Sequence, residues 1–267
     1  MGLVEGKVAV ITGAGRGIGQ AIVWVFAREG AKIVINDVDR TPADETARKA
    51  EDMGAEVIVS IGSVADPKYT DELMRSAVDR FGDLDILVNN AGITDDAVAH
   101  KMTDAQWDFV IDVNLRGTFN CIRSAAPYMR DAAKREIEAG KPKHRKIVNF
   151  YSTAAIRGNP GQINYTAAKM GNVGITRTMA QEWGRFLINV NAVAPGFTDT
   201  RLTKAKEETE GNVGVPKAQR DATIARIPFG RPGKPEEIAN VVLFFSSYLS
   251  DFVTGQEVNV SGGMQIP

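Results

Sequence analysis

Seven short apolar runs of strand length alternate with stretches of helical period along the chain, and this alternation restricts the fold more than any other feature. The runs are Lys7–Ile11, Lys32–Asn36, Glu56–Ile61, Ile86–Asn89, Lys146–Tyr151, Asn189–Ala194 and Glu257–Val260. Most are rich in Val and Ile without clean alternation, as in strands covered on both faces. Between them the spacing predicts helices over Gly17–Glu29, Thr41–Met53, Pro67–Phe81, Thr103–Arg130, Asn164–Phe186 and Pro235–Ser247. In the first of these, Ile18, Ile22, Val25 and Phe26 fall on one apolar face. Thr103 with Gln106 fits a capping box, and Pro235 followed by Glu236 and Glu237 fits a helix start. Such alternation needs crossover connections, and so implies an α/β chain with a doubly wound parallel sheet and helices on both faces.

No linker rich in Pro, Gly or Ser divides the chain, so residues 1–267 read as a single domain. Two stretches look irregular. Arg135–His144 is polar and basic, and Thr198–Pro228 is polar and broken by Gly211, Gly214 and Pro216. The second, about 198–228, sits where a lid over a site would be useful. With 32 Lys and Arg against 33 Asp and Glu, the chain lacks the basic excess of a sequence-independent nucleic-acid binder. Met1–Lys7 has no apolar signal-peptide core, and no apolar run approaches the roughly 20 residues that span a bilayer. The expectation is a cytoplasmic protein with no membrane partner. His100 and His144 lie far apart, without Cys or carboxylate at zinc-site spacing, so no metal is expected. Cys121, the single cysteine, allows no internal disulfide and reads as a buried small side chain.

Thr12-Gly13-Ala14-Gly15-Arg16-Gly17-Ile18-Gly19 joins the first strand to the first helix. Glycines there let the backbone turn sharply and approach a pyrophosphate, while the helix amino terminus offers unpaired N–H groups and its positive dipole end. A plain strand–helix turn is the alternative, and the position at the first strand–helix junction favours a dinucleotide. Asp37, at the end of the second strand, lies 20 residues after Gly17. A carboxylate at that place can accept hydrogen bonds from the adenosine ribose and would repel a 2′-phosphate. At ~4 Å and an effective dielectric of about 20, the repulsion is on the order of 4 kcal/mol before relaxation. Arg16 pulls the other way, since a positive charge in this turn would attract a 2′-phosphate. Asp37 decides for NAD, with NADP less favoured.

A second constellation carries chemistry. Ser152 follows the fifth strand, and Tyr165 and Lys169 stand four residues apart on one face of a helix. A phenol titrates near pH ~10, and a neighbouring ammonium can lower that by about 1–3 units. Such a tyrosine exchanges protons near neutrality.

Together these motifs resemble the short-chain dehydrogenase/reductase family over essentially the whole chain. The likeness is greatest to 3-oxoacyl-acyl-carrier-protein reductases and related secondary-alcohol dehydrogenases. It implies a Rossmann fold with seven strands in the order 3-2-1-4-5-6-7. By resemblance, Gly13, Arg16, Gly17, Ile18, Gly19 and Asp37 form the pyrophosphate and ribose end of the cofactor site. Asn89-Asn90-Ala91-Gly92 matches the motif that braces the sheet beside the adenosine half, giving Asn90, Ala91 and Gly92. Pro195 and Gly196 match the turn beside the nicotinamide, with Thr198 and Thr200 at that end. Where the family has an Asp near the adenine, this chain has Ser63 followed by Val64, and a neutral hydroxyl accepts a weaker hydrogen bond there.

The same resemblance gives roles to the catalytic set. Tyr165 exchanges the proton of the alcohol, and Ser152 holds the substrate oxygen. Lys169 acts on Tyr165 and reaches the nicotinamide ribose, while Asn114 anchors a water linking Lys169 to solvent. The implied activity is NAD(H)-dependent interconversion of a secondary alcohol and a ketone, with a 3-hydroxyacyl/3-oxoacyl thioester as first substrate class. A small cyclic or aliphatic alcohol is the alternative. A non-catalytic dinucleotide-binding regulator would not need the full Asn114, Ser152, Tyr165 and Lys169 set. An extended sugar-nucleotide epimerase would need a larger carboxy-terminal domain and a Gly-x-x-Gly-x-x-Gly turn.

Phe197, Leu202, Ile156 and Gln162 are candidate pocket residues. Lys143 lies near a position where the resembled reductases dock an acidic carrier protein, while Phe186 stands at the second such position with Arg185 adjacent. Family members commonly form homotetramers through the helices over Thr103–Arg130 and Asn164–Phe186.

Overall fold

β1 (Val8–Ile11) lies between β2 (Lys32–Asp37) and β4 (Ile86–Asn89), with β3 (Val57–Ile61) beyond β2. On the other side follow β5 (Arg145–Phe150), β6 (Ile188–Pro195) and β7 (Glu257–Val260), giving one sheet of order β3-β2-β1-β4-β5-β6-β7. Every pairing is parallel, with Ala9 opposite Ile33 and Ile86, and Asn89 opposite Asn149. This is the expected strand order. The computed structural model describes residues 2–201, 203–208 and 214–264.

Side-chain alternation sends the two faces of each strand into separate cores. Ala9, Ile11, Ile33, Ile35, Val88 and Val148 pack beneath α1 (Gly17–Arg28), α2 (Arg40–Asp52) and α9 (Pro235–Ser246). Val8, Val10, Val34, Leu87, Ile147 and Val190 pack beneath α3 (Pro67–Phe81), α5 (Gly117–Glu138) and α7 (Ile163–Trp183). Phe26 and Phe245 are fully buried in the first core. Truncating such an aromatic to Ala costs about 3–5 kcal/mol.

Local signals place the helix ends. Thr103 and Gln106 form the expected reciprocal cap at the start of α4 (Asp104–Ile111). Glu237 accepts the Lys234 N–H at 2.7 Å at the start of α9. Three expectations need correction. The predicted helix Thr103–Arg130 is two helices, α4 and α5, joined by a π-helical turn over Asp112–Arg116. α5 then runs on to Glu138, so the first part of Arg135–His144 is helical. It continues because Arg145 holds Glu136 by two hydrogen bonds, at 2.6 and 2.9 Å. In the stretch Thr198–Pro228, α8 (Lys217–Ile224) forms after Pro216, while Leu202 and Gly211 lie outside the described residues. A short helix, α6 (Thr153–Arg157), also follows β5, with the Ser152 side chain as its cap.

Candidate active site

The carboxyl ends of β1, β2, β4, β5 and β6 bring the predicted residues to one edge of the sheet, where open α/β sheets take ligands. The glycine turn is held from below. Thr12 Oγ1 accepts the N–H groups of Asn90 and Ala91 at 3.1 Å each, and Asn90 Nδ2 donates to the carbonyls of Thr12 and Gly13 at 2.9 Å. Gly13 has φ +62°, and a Cβ there would come within 2.8 Å of Ala91 Cα. A Cβ on Gly19 would meet the Gly13 carbonyl at 2.2 Å. These glycines are required by the turn and by close packing of α1 on the sheet.

α1 begins at Gly17 with no side chain capping its N–H groups. Its amino terminus therefore faces the turn with donors and a positive dipole end available to an anion. Thr200 reaches across from beyond β6 to lie 3.5 Å from where a Gly17 Cβ would project. Asp37 Oδ2 accepts the Gly15 N–H at 2.8 Å, and its Oδ1 accepts the Asp39 N–H at 3.0 Å. Arg16, by contrast, points its guanidinium to Asp39 at 2.5 Å. These features fit the pyrophosphate and ribose of a dinucleotide.

Ser63 has a partner within its own loop: its hydroxyl accepts the Ala65 N–H at 3.2 Å. Val64 is buried against Gly117, and the carbonyls of Val64 and Ala65 are tied to Asn120 Nδ2 at 3.0 and 3.2 Å. At the other end, Pro195 and Gly196 close β6 against Ser261, whose Cα would lie 2.7 Å from a Gly196 Cβ. Thr198 is buried, with its hydroxyl on the Gly196 carbonyl at 3.1 Å, and Thr200 N–H donates to Thr203 Oγ1 at 3.0 Å.

Ser152, Tyr165 and Lys169 converge. Ser152 Oγ accepts the Ala154 N–H at 3.1 Å, and its hydroxyl lies close enough to the Tyr165 phenol to lower the phenol's pKa against the effect of burial. Lys169 is 3% exposed, and its Nζ lies 5.7 Å from the Tyr165 ring centroid and 3.4 Å from the Phe150 carbonyl. Asn114, fully buried in the π turn, donates through Nδ2 to the carbonyls of Ile93 and Val110 at 2.9 Å each. Its Oδ1 has no partner among the described residues and would stand 2.7 Å from a Cβ on Gly92, with Lys169 Nζ 3.1 Å from the same point. A side chain at position 92 would crowd both groups.

The titration behaviour corrects the simple expectation of an ammonium lowering the phenol. Burial raises the Tyr165 pKa, opposed by the Ser152 hydroxyl and reinforced by Asp96. Burial alone pushes Lys169 down to about 8. Lys169 lies over the ring face and has no carboxylate of its own, so desolvation outweighs its attraction for the phenolate. Both groups are poised toward their neutral forms, and Lys169 titrates close to neutrality.

Among candidate pocket residues, Ile156 is exposed, Phe197 lies beneath the Arg220 guanidinium at 5.7 Å, and Gln162 donates to Asp96 at 2.9 Å. Lys143 is engaged within the chain, its ammonium bound by Asp83 and by Asp85 at 2.9 Å. Cys121 is buried and its thiol is pushed up to about 12, as befits an inert side chain. Sequence reasoning missed Asn164, which ties Asp95 and Gln106 carbonyls to α7, and it missed Asn172. The Thr103–Gln106 cap was a usable signal for the first, because Gln106 also donates to Asp95 at 2.8 Å. Among the described residues no group of three or more His, Cys, Asp or Glu could hold a metal ion, and no helix is long and apolar enough to cross a membrane.

The family model described as enoyl-(acyl carrier protein) reductase matches residues 13–265. The chain is 41% identical over 263 residues to the 3-oxoacyl-[acyl-carrier-protein] reductase FabG of Thermotoga maritima, covering 98% of this chain and 99% of that protein. It is 37% identical to the FabG reductase of Staphylococcus epidermidis, over 97% and 98% of the two chains. A crystal structure assigned as a short-chain alcohol dehydrogenase from Sinorhizobium meliloti superposes with a TM-score of 0.86 at 32% identity, covering 97% of this chain and 96% of that one. The chain belongs to the short-chain dehydrogenase/reductase family, a class of oxidoreductases acting on CH–OH groups with nicotinamide dinucleotides.

Proposed function

We propose that this protein is an NAD(H)-dependent oxidoreductase that interconverts a secondary alcohol and a ketone, with a 3-hydroxyacyl/3-oxoacyl thioester as substrate. The observation that carries the reading is the meeting of Ser152, Tyr165 and buried Lys169 at the same sheet edge as the glycine turn. A bound nicotinamide dinucleotide supplies the hydride acceptor or donor. The protein supplies the rest. Ser152 donates to the substrate oxygen, and Tyr165 Oη takes the alcohol proton in oxidation or returns it in reduction. Lys169 stabilises the phenolate as it forms, and the Asn114 Oδ1 that shares the Gly92 corner with it can accept from a bridging water. Asn90 and Ala91 hold the glycine turn in register, Gly92 makes room beside Asn114 and Lys169, and Thr198 and Thr200 border the nicotinamide end.

The preference for NAD rests on Asp37 at the turn and on Arg16, which is engaged by Asp39 instead of being free for a 2′-phosphate. The names carried by the relatives support a 3-oxoacyl thioester. With Lys143 held by Asp83 and Asp85, any carrier protein would have to dock elsewhere, for example on Arg130 and Arg185, which flank Phe186 at 5.1 and 4.8 Å. The segment about 198–228 serves as the lid, braced within itself by Arg220 on Asp199 at 3.1 Å. A single cytoplasmic domain assembled as a homotetramer completes the reading. Exposed Trp107, Phe109, Phe119 and Met170 on α4, α5 and α7 suit one interface.

The test is turnover with NAD and NADP across 3-hydroxyacyl thioesters, cyclic alcohols and simple secondary alcohols. The reading expects the highest kcat/KM for a 3-hydroxyacyl thioester with NAD. Turnover confined to cyclic or simple alcohols would move the substrate class, and a preference for NADP would overturn the cofactor assignment.

A further inference from the structure

One buried amide beside the proton-handling pair has no part in the roles given so far. Asn172 lies one helical turn beyond Lys169 on α7 and is fully buried. Its Nδ2 donates to two carbonyls, those of Asn114 and Phe150, at 3.0 Å each. Both partners can only accept, so the amide has one orientation, and its buried Oδ1 has no partner among the described residues. An unpaired buried amide oxygen carries a desolvation penalty that an apolar side chain at the same place would avoid. Packing alone therefore does not call for an asparagine here.

Its two partners matter. Asn114 belongs to the π turn, where the regular helical ladder is interrupted. Side-chain donors from Asn172 and Thr118 take up its carbonyl. Phe150 ends β5, two residues before Ser152, and its carbonyl is also the acceptor for Lys169 Nζ. Between the two donors, Asn172 holds the shorter contact and Lys169 the longer, 3.0 against 3.4 Å. The longer contact is well beyond the usual N–H···O distance.

We propose that Asn172 is a positioning residue for the Tyr165–Lys169 pair: it pins the π turn to the end of β5 and occupies the Phe150 carbonyl, leaving Lys169 loosely held and free to act on Tyr165. This rests on the catalytic reading given above. The titratable groups concerned are few. Tyr165 faces Lys169 from the same helix, and Asp96, from the segment between β4 and α4, acts on Tyr165. The π turn and β5 bring amides and carbonyls, and no neighbouring charge contributes to the shift of Lys169.

The experiment compares Asn172→Val, which removes both donations, with Asn172→Ser, which keeps one donor. Each is measured as kcat for alcohol oxidation against pH at saturating cofactor, normalised to folded protein by circular dichroism. With the Phe150 carbonyl to itself, Lys169 is drawn from Tyr165. The expected result for the Val variant is a kcat about ten-fold lower and an alkaline shift of the pH limb by about half a unit or more. The Ser variant should fall between it and the wild type. A pH profile superimposable on the wild type, with unchanged kcat per folded molecule, overturns the proposal. So does failure of both variants to fold, which would make Asn172 a structural residue. Wild type and Tyr165→Phe are run alongside. If the wild type has no turnover, or Tyr165→Phe keeps it, the catalytic reading itself has failed.

Discussion

The two ends of β5 treat buried cations in opposite ways. At its amino end Arg145 is fully buried, with Glu136 bound at 2.6 and 2.9 Å and Asp83 at 3.2 Å. Burial pulls the Arg145 pKa down, but Glu136 and Asp83 outweigh it and leave it raised. Lys146 beside it is held by Asp251 at 2.6 Å, yet burial outweighs that carboxylate and leaves its pKa lowered, so the contrast is sharpest for Arg145. At the carboxyl end Lys169 is as deeply buried, with a carbonyl at 3.4 Å and no carboxylate, and burial pushes it down to about 8. A compensated buried charge is architecture. An uncompensated one is held near its titration point, where proton chemistry at neutral pH needs it.

Four variants can break or sharpen that contrast. Tyr165→Phe removes the proton-carrying oxygen and should lower kcat by about a thousand-fold while leaving NADH binding, followed by fluorescence, within two-fold. Arg145→Met leaves Glu136 and Asp83 facing a buried void of charge. Because both carboxylates keep partial solvent contact, the loss should be near the lower end of the usual range, about 3 kcal/mol by urea denaturation at pH 7. Their pKa values are lowered, Asp83 against its burial penalty by Lys143 and Arg145, and Glu136 chiefly by its hydrogen bond to Arg145. Stability from them is therefore present above the ordinary carboxylate pKa and lost as pH falls through the lowered values. In Arg145→Met that acid dependence should flatten.

Lys169→Met should do the reverse. The folded pKa of about 8 lies below the ordinary 10.5, so between these values the unfolded chain binds more protons and wild-type stability rises with pH. Removing the amine should stabilise the fold at pH 7 by up to about 3 kcal/mol, abolish that rise, and abolish turnover. A destabilised Lys169→Met with an unchanged pH dependence would erase the contrast. The smallest effect is expected at the exposed end of the site. Asp37→Asn keeps an acceptor for Gly15 N–H but removes the charge, and should raise the kcat/KM ratio of NADP to NAD about ten-fold.

Much of this site was legible because its motifs are local. The turn from Thr12 to Gly19, Asp37 at the end of β2, and Tyr165 with Lys169 one turn apart all announce themselves over short spacings. The doubly wound parallel sheet followed from the alternation of runs and periods, and its strand order from the family resemblance. The π turn was not legible, since the apolar period runs through Asp112–Arg116 without a Gly or Pro to mark it. Arg145 and Lys146, at the junction of the basic stretch and the fifth strand run, carried no mark of their burial. Their burial depends on Asp83, Glu136 and Asp251, partners brought in from other elements. Asn172 gave no signal at all, because one amide on a long helix becomes informative only once its two carbonyl partners are known. The direction of the Tyr165 shift was missed for a related reason: spacing reports proximity to Lys169 but not the burial that both groups share.

The most direct test of the account follows the transferred hydride itself. The protein is incubated with a 3-oxoacyl thioester and reduced NAD carrying deuterium at nicotinamide C4, with each C4 face labelled in turn, and the product is read by mass spectrometry and NMR. The account predicts a 3-hydroxyacyl thioester carrying one deuterium at the carbinol carbon from one of the two labelled faces, and none with Tyr165→Phe. Reduction without label from either face, or no reduction with the wild-type protein, would contradict it.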